Sequence, residues 1–186
     1  MKKPISTIFI LFLVSICYSQ VQKVNISCEE VALSAYIYEA AGEEIKPTLI
    51  WMHGNPGGKE EGKSPLGLEL SNNGINVVRF NYRGLWGTDG IFTMGNNLEE
   101  LESVIKFLLL PNSVESFNID TSRIIIGGYS HGSNVALIYA VHHSGVKEII
   151  CLGPSDMSYL IREYFNPART DIRRFAQTAK DAIWGE

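Results

Sequence analysis

Ile124-Ile125-Ile126-Gly127-Gly128-Tyr129-Ser130-His131-Gly132 runs from a β-branched segment into a Gly-x-Ser-x-Gly turn, and Val135-Ala136-Leu137-Ile138 follow at once. Three successive isoleucines read as a buried strand, and the apolar run behind the turn reads as a helix over 132–143 with Gly145 past its end. A bare Gly-x-Ser-x-Gly recurs by chance. Between a strand and a helix it has a physical meaning. The serine must occupy a strained strand-to-helix turn, and a Cβ at Gly128 or Gly132 would strike neighbouring backbone. Such a turn lifts the Ser130 hydroxyl clear of the sheet edge. It also aims the amide N–H of His131, at a helix N-terminus, toward a developing oxyanion.

The surrounding sequence alternates strand and helix patterns. Residues 21–28 and 31–38 read as a hairpin turning at Glu29-Glu30, followed by a buried strand at Thr48–Met52. A short helix around Leu66–Leu70 stops at Asn72-Asn73-Gly74, and Ile75–Phe80 is the next strand. Leu98, Leu101, Ile105, Leu108 and Leu109 recur at helical spacing up to Pro111, and Glu148–Leu152 is a final strand. From Met157 onward the pattern is helical and amphipathic. This order predicts an α/β fold: a mostly parallel sheet with helices on both faces and an N-terminal antiparallel hairpin.

The loop His53-Gly54-Asn55-Pro56-Gly57-Gly58 follows an earlier strand and is placed to supply a second oxyanion donor, the amide of Asn55, with Gly54 allowing the tight turn. With this loop and the serine turn in that order, the chain resembles the α/β-hydrolase superfamily. Asn81-Tyr82-Arg83-Gly84 and Ile119-Asp120-Thr121-Ser122-Arg123 also look like that superfamily, the second especially like its prolyl-oligopeptidase-like branch of serine peptidases and esterases. The resemblance covers roughly residues 30–155. It implies acyl transfer, with Ser130 attacking an ester or peptide carbonyl and an acyl-enzyme then hydrolysed.

A competing pattern is Gly57-Gly58-Lys59-Glu60-Glu61-Gly62-Lys63-Ser64, a literal G-x-x-x-x-G-K-S phosphate loop. Glu60 and Glu61 would put negative charge into a phosphate cradle, and no apolar strand ends in an aspartate suited to magnesium. A solvated loop is expected there, and no nucleotide partner. The four histidines supply no evident base for Ser130. His53 belongs to the loop, His131 points away from the turn, and His142 and His143 lie about 18 Å or more along the helix at 1.5 Å per residue. Asp156 is the one candidate acid, with a loop or helix-cap role as its ordinary alternative. The domain is therefore expected to be C-terminally incomplete, with residues 156–186 a solvated helix or the start of a cap over the site. A non-catalytic α/β-hydrolase-like binding protein is the alternative reading.

Composition agrees with one globular domain: 186 residues, 45% hydrophobic, 19% charged, net charge −4. No run of Lys or Arg suggests nucleic acid, and no Cys/His cluster suggests a metal; no cofactor is expected. Lys2 and Lys3, the apolar run Ile8–Ile16 and the cut region Cys17-Tyr18-Ser19 read as a signal peptide over 1–19, and hence a secreted or periplasmic protein. The run is short for a membrane span, and Ile16 disfavours lipidation at Cys17. Cleavage after Ser19 leaves 14 basic against 20 acidic residues, or −6. Cys28 and Cys151 lie in apolar runs and read as buried free thiols.

Overall fold

The hairpin forms where two alternating segments meet a two-residue turn. β1 (Gln20–Cys28) and β2 (Val31–Glu39) pair antiparallel from Gln20 opposite Glu39 to Cys28 opposite Val31. Glu29 takes a left-handed φ of 53° to close the turn. The computed structural model describes residues 20–171 except 56, together with 173, 174 and 177. The expected signal peptide lies outside the described residues.

The remaining elements are β3 (Lys46–Met52), α1 (Pro65–Asn72), β4 (Asn76–Phe80), α2 (Met94–Leu108), α3 (Pro111–Ser116), β5 (Ile119–Tyr129), α4 (His131–His142), β6 (Ile149–Leu152) and α5 (Met157–Tyr164). The six strands form one mixed sheet in the order β1-β2-β4-β3-β5-β6. β4, β3, β5 and β6 are mutually parallel, and β2 joins β4 antiparallel. Alternation along β3 separates the two faces. Ile50 and Met52 join Val78, Phe80 and Ile126 beneath Leu101, Val104 and Leu108 of α2 and Val135, Ala136 and Tyr139 of α4. Leu49 and Trp51 join Tyr38 and Val77 on the opposite face, with Leu70 of α1 against them. β4 lies on one side of β3 and β5 on the other, so the strand order reverses there. In open α/β sheets that reversal leaves a crevice at the carboxyl ends of the strands, where ligands bind.

Several boundaries differ from the sequence reading. β3 begins at Lys46, whose Nζ donates to the carbonyls of Gly42 at 2.6 Å and Glu44 at 2.7 Å, which is how a lysine comes to lie buried. Pro111 ends α2 but also opens α3, since a proline at the first helical position forfeits no intrahelical bond. β5 starts five residues earlier than Ile124 because Asp120 knots the intervening segment, accepting from the Ser122 amide at 3.0 Å and from Arg123 Nε at 2.6 Å. These bonds hold the Asp120 carboxyl below its usual range. β6 forms the outer edge of the described sheet and leaves Ile149, Ile150 and Leu152 exposed. The two cysteines among the described residues are free thiols, Cys28 buried and Cys151 only half-buried. Beyond α5, Arg169 pairs with Glu163 at 3.2 Å and Asp171 at 2.8 Å, a solvated charge network.

Candidate active site

Ser130 sits between β5 and α4 with φ 52° and ψ −112°, a conformation L side chains rarely adopt. Strain of this kind costs about 1–3 kcal/mol and persists where the surroundings over-determine it. Here the surroundings are specific. The Ser130 amide donates to Leu152 O of β6 at 2.8 Å. Ser133 Oγ, one turn on, donates to Gly128 O at 2.7 Å and also lies 3.0 Å from Leu152 O. A Cβ on Gly128 would lie 2.5 Å from the Gly132 carbonyl carbon and 2.7 Å from Met52 O, so the glycines let α4 settle onto the end of β3. The Ser130 hydroxyl makes no capping bond, and the residue is half-buried.

The loop after β3 lies against this turn. A side chain on Gly54 would meet the Tyr129 ring at 3.0 Å and Ser130 Cβ at 3.3 Å. Gly54 is thus required by close approach; its φ lies outside the left-handed region. Gly57 leaves space for another contact, because a Cβ there would lie 2.5 Å from Gly54 O and 2.7 Å from His53 Nδ1. His53 Nδ1 pairs with Gly54 O at 2.7 Å, and its ring lies 4.3 Å from that of Tyr82 and 4.8 Å from that of Trp86. Burial lowers its pKa to about 4, so the imidazole is neutral at physiological pH. Asn55 is half-buried beside Gly54 with its side-chain oxygen unpartnered.

His131 turns its ring away from Ser130 toward α2. Its Nε2 pairs with Asn97 Oδ1 at 2.8 Å, and Phe92 lies 5.0 Å from the ring. Burial brings its pKa to about 4 as well. His143 stacks on Tyr139 at 3.8 Å at the far end of α4, with Nδ1 against Tyr139 O. None of the four imidazoles is hydrogen-bonded to Ser130 Oγ among the described residues. Asp156 caps α5, accepting from the Tyr159 amide at 2.9 Å and Ser158 Oγ at 2.7 Å, so its carboxylate serves a helix end.

The segment with the phosphate-loop pattern departs from a solvated loop. Glu60 is buried: it accepts from Tyr38 Oη at 2.5 Å and from the Gly62 amide at 2.8 Å, and Arg79 Nε lies 3.0 Å away. Ser64 caps α1 and also receives Arg79. Asn81 clamps the loop, pairing with the amide and carbonyl of Glu60 at 2.7 and 3.0 Å. A buried carboxylate thus occupies the middle of the segment, and the serine hydroxyl is committed to a helix cap.

Three polar residues here escape motif reading: Asn97, Glu100 and Ser133. Glu100 Oε1 accepts from the Arg83 amide at 3.0 Å and Nε at 2.8 Å, while Oε2 accepts from Asn97 Nδ2 at 3.2 Å. Burial pushes the Glu100 carboxyl up, against the pull of Arg83. One signal was present. Asn97 and Glu100 stand on the same helical stripe as Leu101, Val104 and Leu108, where a polar residue needs a buried partner.

A family model described as BD-FAE matches residues 35–162. The chain belongs to the BD-FAE family. BD-FAE is an α/β-hydrolase family, and the mixed sheet with its N-terminal hairpin matches the α/β-hydrolase fold. This BD-FAE domain superposes on the carboxylesterase EstE1 from a metagenomic library with TM-score 0.65 and 17% identity, covering 86% of this chain and 58% of the esterase. It superposes on a puromycin-hydrolyzing peptidase from Mycobacterium tuberculosis with TM-score 0.65 and 18% identity, covering 94% of this chain and 30% of the peptidase. In sequence it is 27% identical over 122 residues to the multifunctional-autoprocessing repeats-in-toxin of Vibrio cholerae serotype O1, over 62% of this chain and 3% of the toxin. The BD-FAE chain therefore spans from 3% to 58% of the length of these relatives. Among the described residues no helix is long and apolar enough to cross a membrane.

Proposed function

We propose that this BD-FAE domain carries the nucleophile and oxyanion hole of a secreted serine hydrolase acting on small esters or peptides. Ser130 Oγ attacks the carbonyl carbon as a base takes the hydroxyl proton. The carbonyl oxygen becomes an oxyanion held by the amides of His131 and Asn55. Collapse expels the alcohol or amine, which leaves protonated, and water then hydrolyses the acyl-serine. The observation that carries this reading is the strained turn at Ser130, with its hydroxyl left uncapped at the point where the strand order reverses. The acid and base, in this reading, come from residues beyond those described.

The absence of any imidazole bonded to Ser130 Oγ among the described residues favours a second reading, a binding protein that uses the same crevice without catalysis. A serine-directed fluorophosphonate separates the two. Capture at Ser130 by the native gene product, lost in Ser130→Ala, supports the hydrolase. No capture by the folded protein supports the binding reading. Capture needs a base, because an unassisted serine hydroxyl is hardly ionised near neutral pH. Secretion is tested separately: the mature protein should lack Met1–Ser19 and lie outside the cytoplasm.

A further inference from the structure

A continuous polar chain leads from the exposed Glu29 of the hairpin turn through buried Arg83, Glu100 and Asn97 to His131, the residue after Ser130. Arg83, 5% exposed, spreads its guanidinium over Glu29 at 3.2 Å in the β1–β2 turn, and over Glu99 at 3.1 Å and Glu100 at 2.8 Å on α2. Glu100 and Asn97 are both fully buried, and the chain ends on His131. Its proton order follows from the donor inventory. An arginine donates only, so Glu100 Oε1 accepts. Asn97 Nδ2 donates to Glu100 Oε2, which leaves Asn97 Oδ1 free only to accept. With Glu100 ionised against Arg83, His131 Nε2 then carries the proton, and Nδ1 is the ring's acceptor.

We propose that Asn97 is a positioning residue that, anchored through Glu100 to Arg83, fixes the tautomer and orientation of the His131 ring and thereby the backbone N–H that follows Ser130. The role for that N–H rests on the serine-hydrolase reading; the tautomer lock does not. His131 is the first residue of α4, and its backbone defines where the amide points. The elbow is strained, and two of its restraints, the Ser130 amide bond and the Ser133 hydroxyl bond, come from the sheet side. The Asn97 bond is the restraint from the helix side. Without it the ring keeps only its contacts with Phe92 and Tyr82, which accept either tautomer.

Long-range ¹H–¹⁵N imidazole spectra of the folded protein test the lock directly. The unsubstituted chain should show His131 as the pure Nε2–H tautomer near neutral pH; an Nδ1–H tautomer would overturn the proposal. Asn97→Ala should give mixed tautomers and a displaced His131 amide signal. It should also slow fluorophosphonate capture at Ser130 about tenfold, less than loss of a whole oxyanion donor. The double variant Asn97→Asp with Glu100→Gln keeps an acceptor toward His131, and the new side-chain amide on α2 donates back to it. This variant should restore both the tautomer and the capture rate. That rescue distinguishes positioning from a general packing loss. Unchanged His131 signals in a folded Asn97→Ala protein would sink the lock. The expected signals in every variant, with no capture in any, would instead sink the hydrolase reading alone.

Discussion

Gly132 lies so close under the end of β3 that an added methyl group would strike the Met52 carbonyl, with the carbonyl carbon 2.7 Å away. The first turn of α4 thus rests directly on a strand backbone. Neither side can yield without moving the sheet. Gly132→Ala should cost about 2–3 kcal/mol in urea unfolding, as overpacking of a rigid contact does. Gly95→Ala, in the first turn of α2 with only the Thr93 side chain near at 3.9 Å, should instead gain about 0.5–1 kcal/mol from helix propensity. Equal effects at the two glycines would contradict the contact.

Ser130 holds a left-handed φ that a non-glycine residue adopts only under strain. Glycine tolerates its φ of 52° without penalty, whereas alanine does not. Ser130→Gly should therefore be more stable than Ser130→Ala by about 1 kcal/mol in thermal or urea melts, while both lose fluorophosphonate capture. An alanine variant as stable as the glycine variant would show that the turn is relaxed.

Two buried imidazoles make the fold acid-sensitive. His53 and His131 titrate near pH 4 when folded and near 6.5 when unfolded, because burial disfavours the charged ring. Their contribution is intact above about pH 6.5, falls as the pH drops toward 4, and levels off below that. The raised Glu100 carboxyl works the other way, contributing stability at low pH that fades as the pH rises through its folded value. Comparison with His131→Gln isolates one imidazole: unfolding free energy should lose about 2–3 kcal/mol less between pH 7.5 and 4.5 in the variant. A parallel loss in both proteins would refute the assignment.

Glu60 decides what the glycine-lysine loop does. Removing its charge by Glu60→Gln leaves the Arg79 guanidinium, 16% exposed in its side chain, facing a neutral partner. A cost of about 2–4 kcal/mol is expected, as for other broken buried pairs. Lys63→Ala, on an exposed residue of the same loop, should change stability by less than about 0.5 kcal/mol. Magnesium-ATP should not shift the melting temperature of either protein. A shift abolished by Lys63→Ala would restore the phosphate-loop reading.

The parts of this molecule legible in sequence are those whose physics is local. The hairpin, the strands at Thr48 and Ile124 and the elbow glycines each follow from a few adjacent residues. Asp120 hid the start of β5 because its side chain, bonded to Ser122 and Arg123, interrupts the apolar pattern without ending the strand. Pro111 carries two meanings, stop and start, and only packing of Phe117 into the core shows the second. Glu60 looked solvated because its partners, Tyr38 and Arg79, come from two distant strands. The link from Arg83 to His131 was hidden for the same reason: each bond in it spans a different pair of elements, except Asn97 to Glu100.

The Ser130 amide is held by Leu152, and β6 is a four-residue strand at the edge of the described sheet with three of its side chains exposed. A strained backbone geometry therefore takes one of its restraints from a short, exposed edge strand. In the language of hydrogen exchange, the Ser130 amide should open with the unit that contains β6, while Gly128 and Gly132 stay seated on β3. The Ser130 amide should exchange with the free energy of that marginal unit. Anything that pairs with or covers β6 would then govern how long the Ser130 turn keeps its shape, and an event at the sheet edge would be felt at the serine without any contact to it.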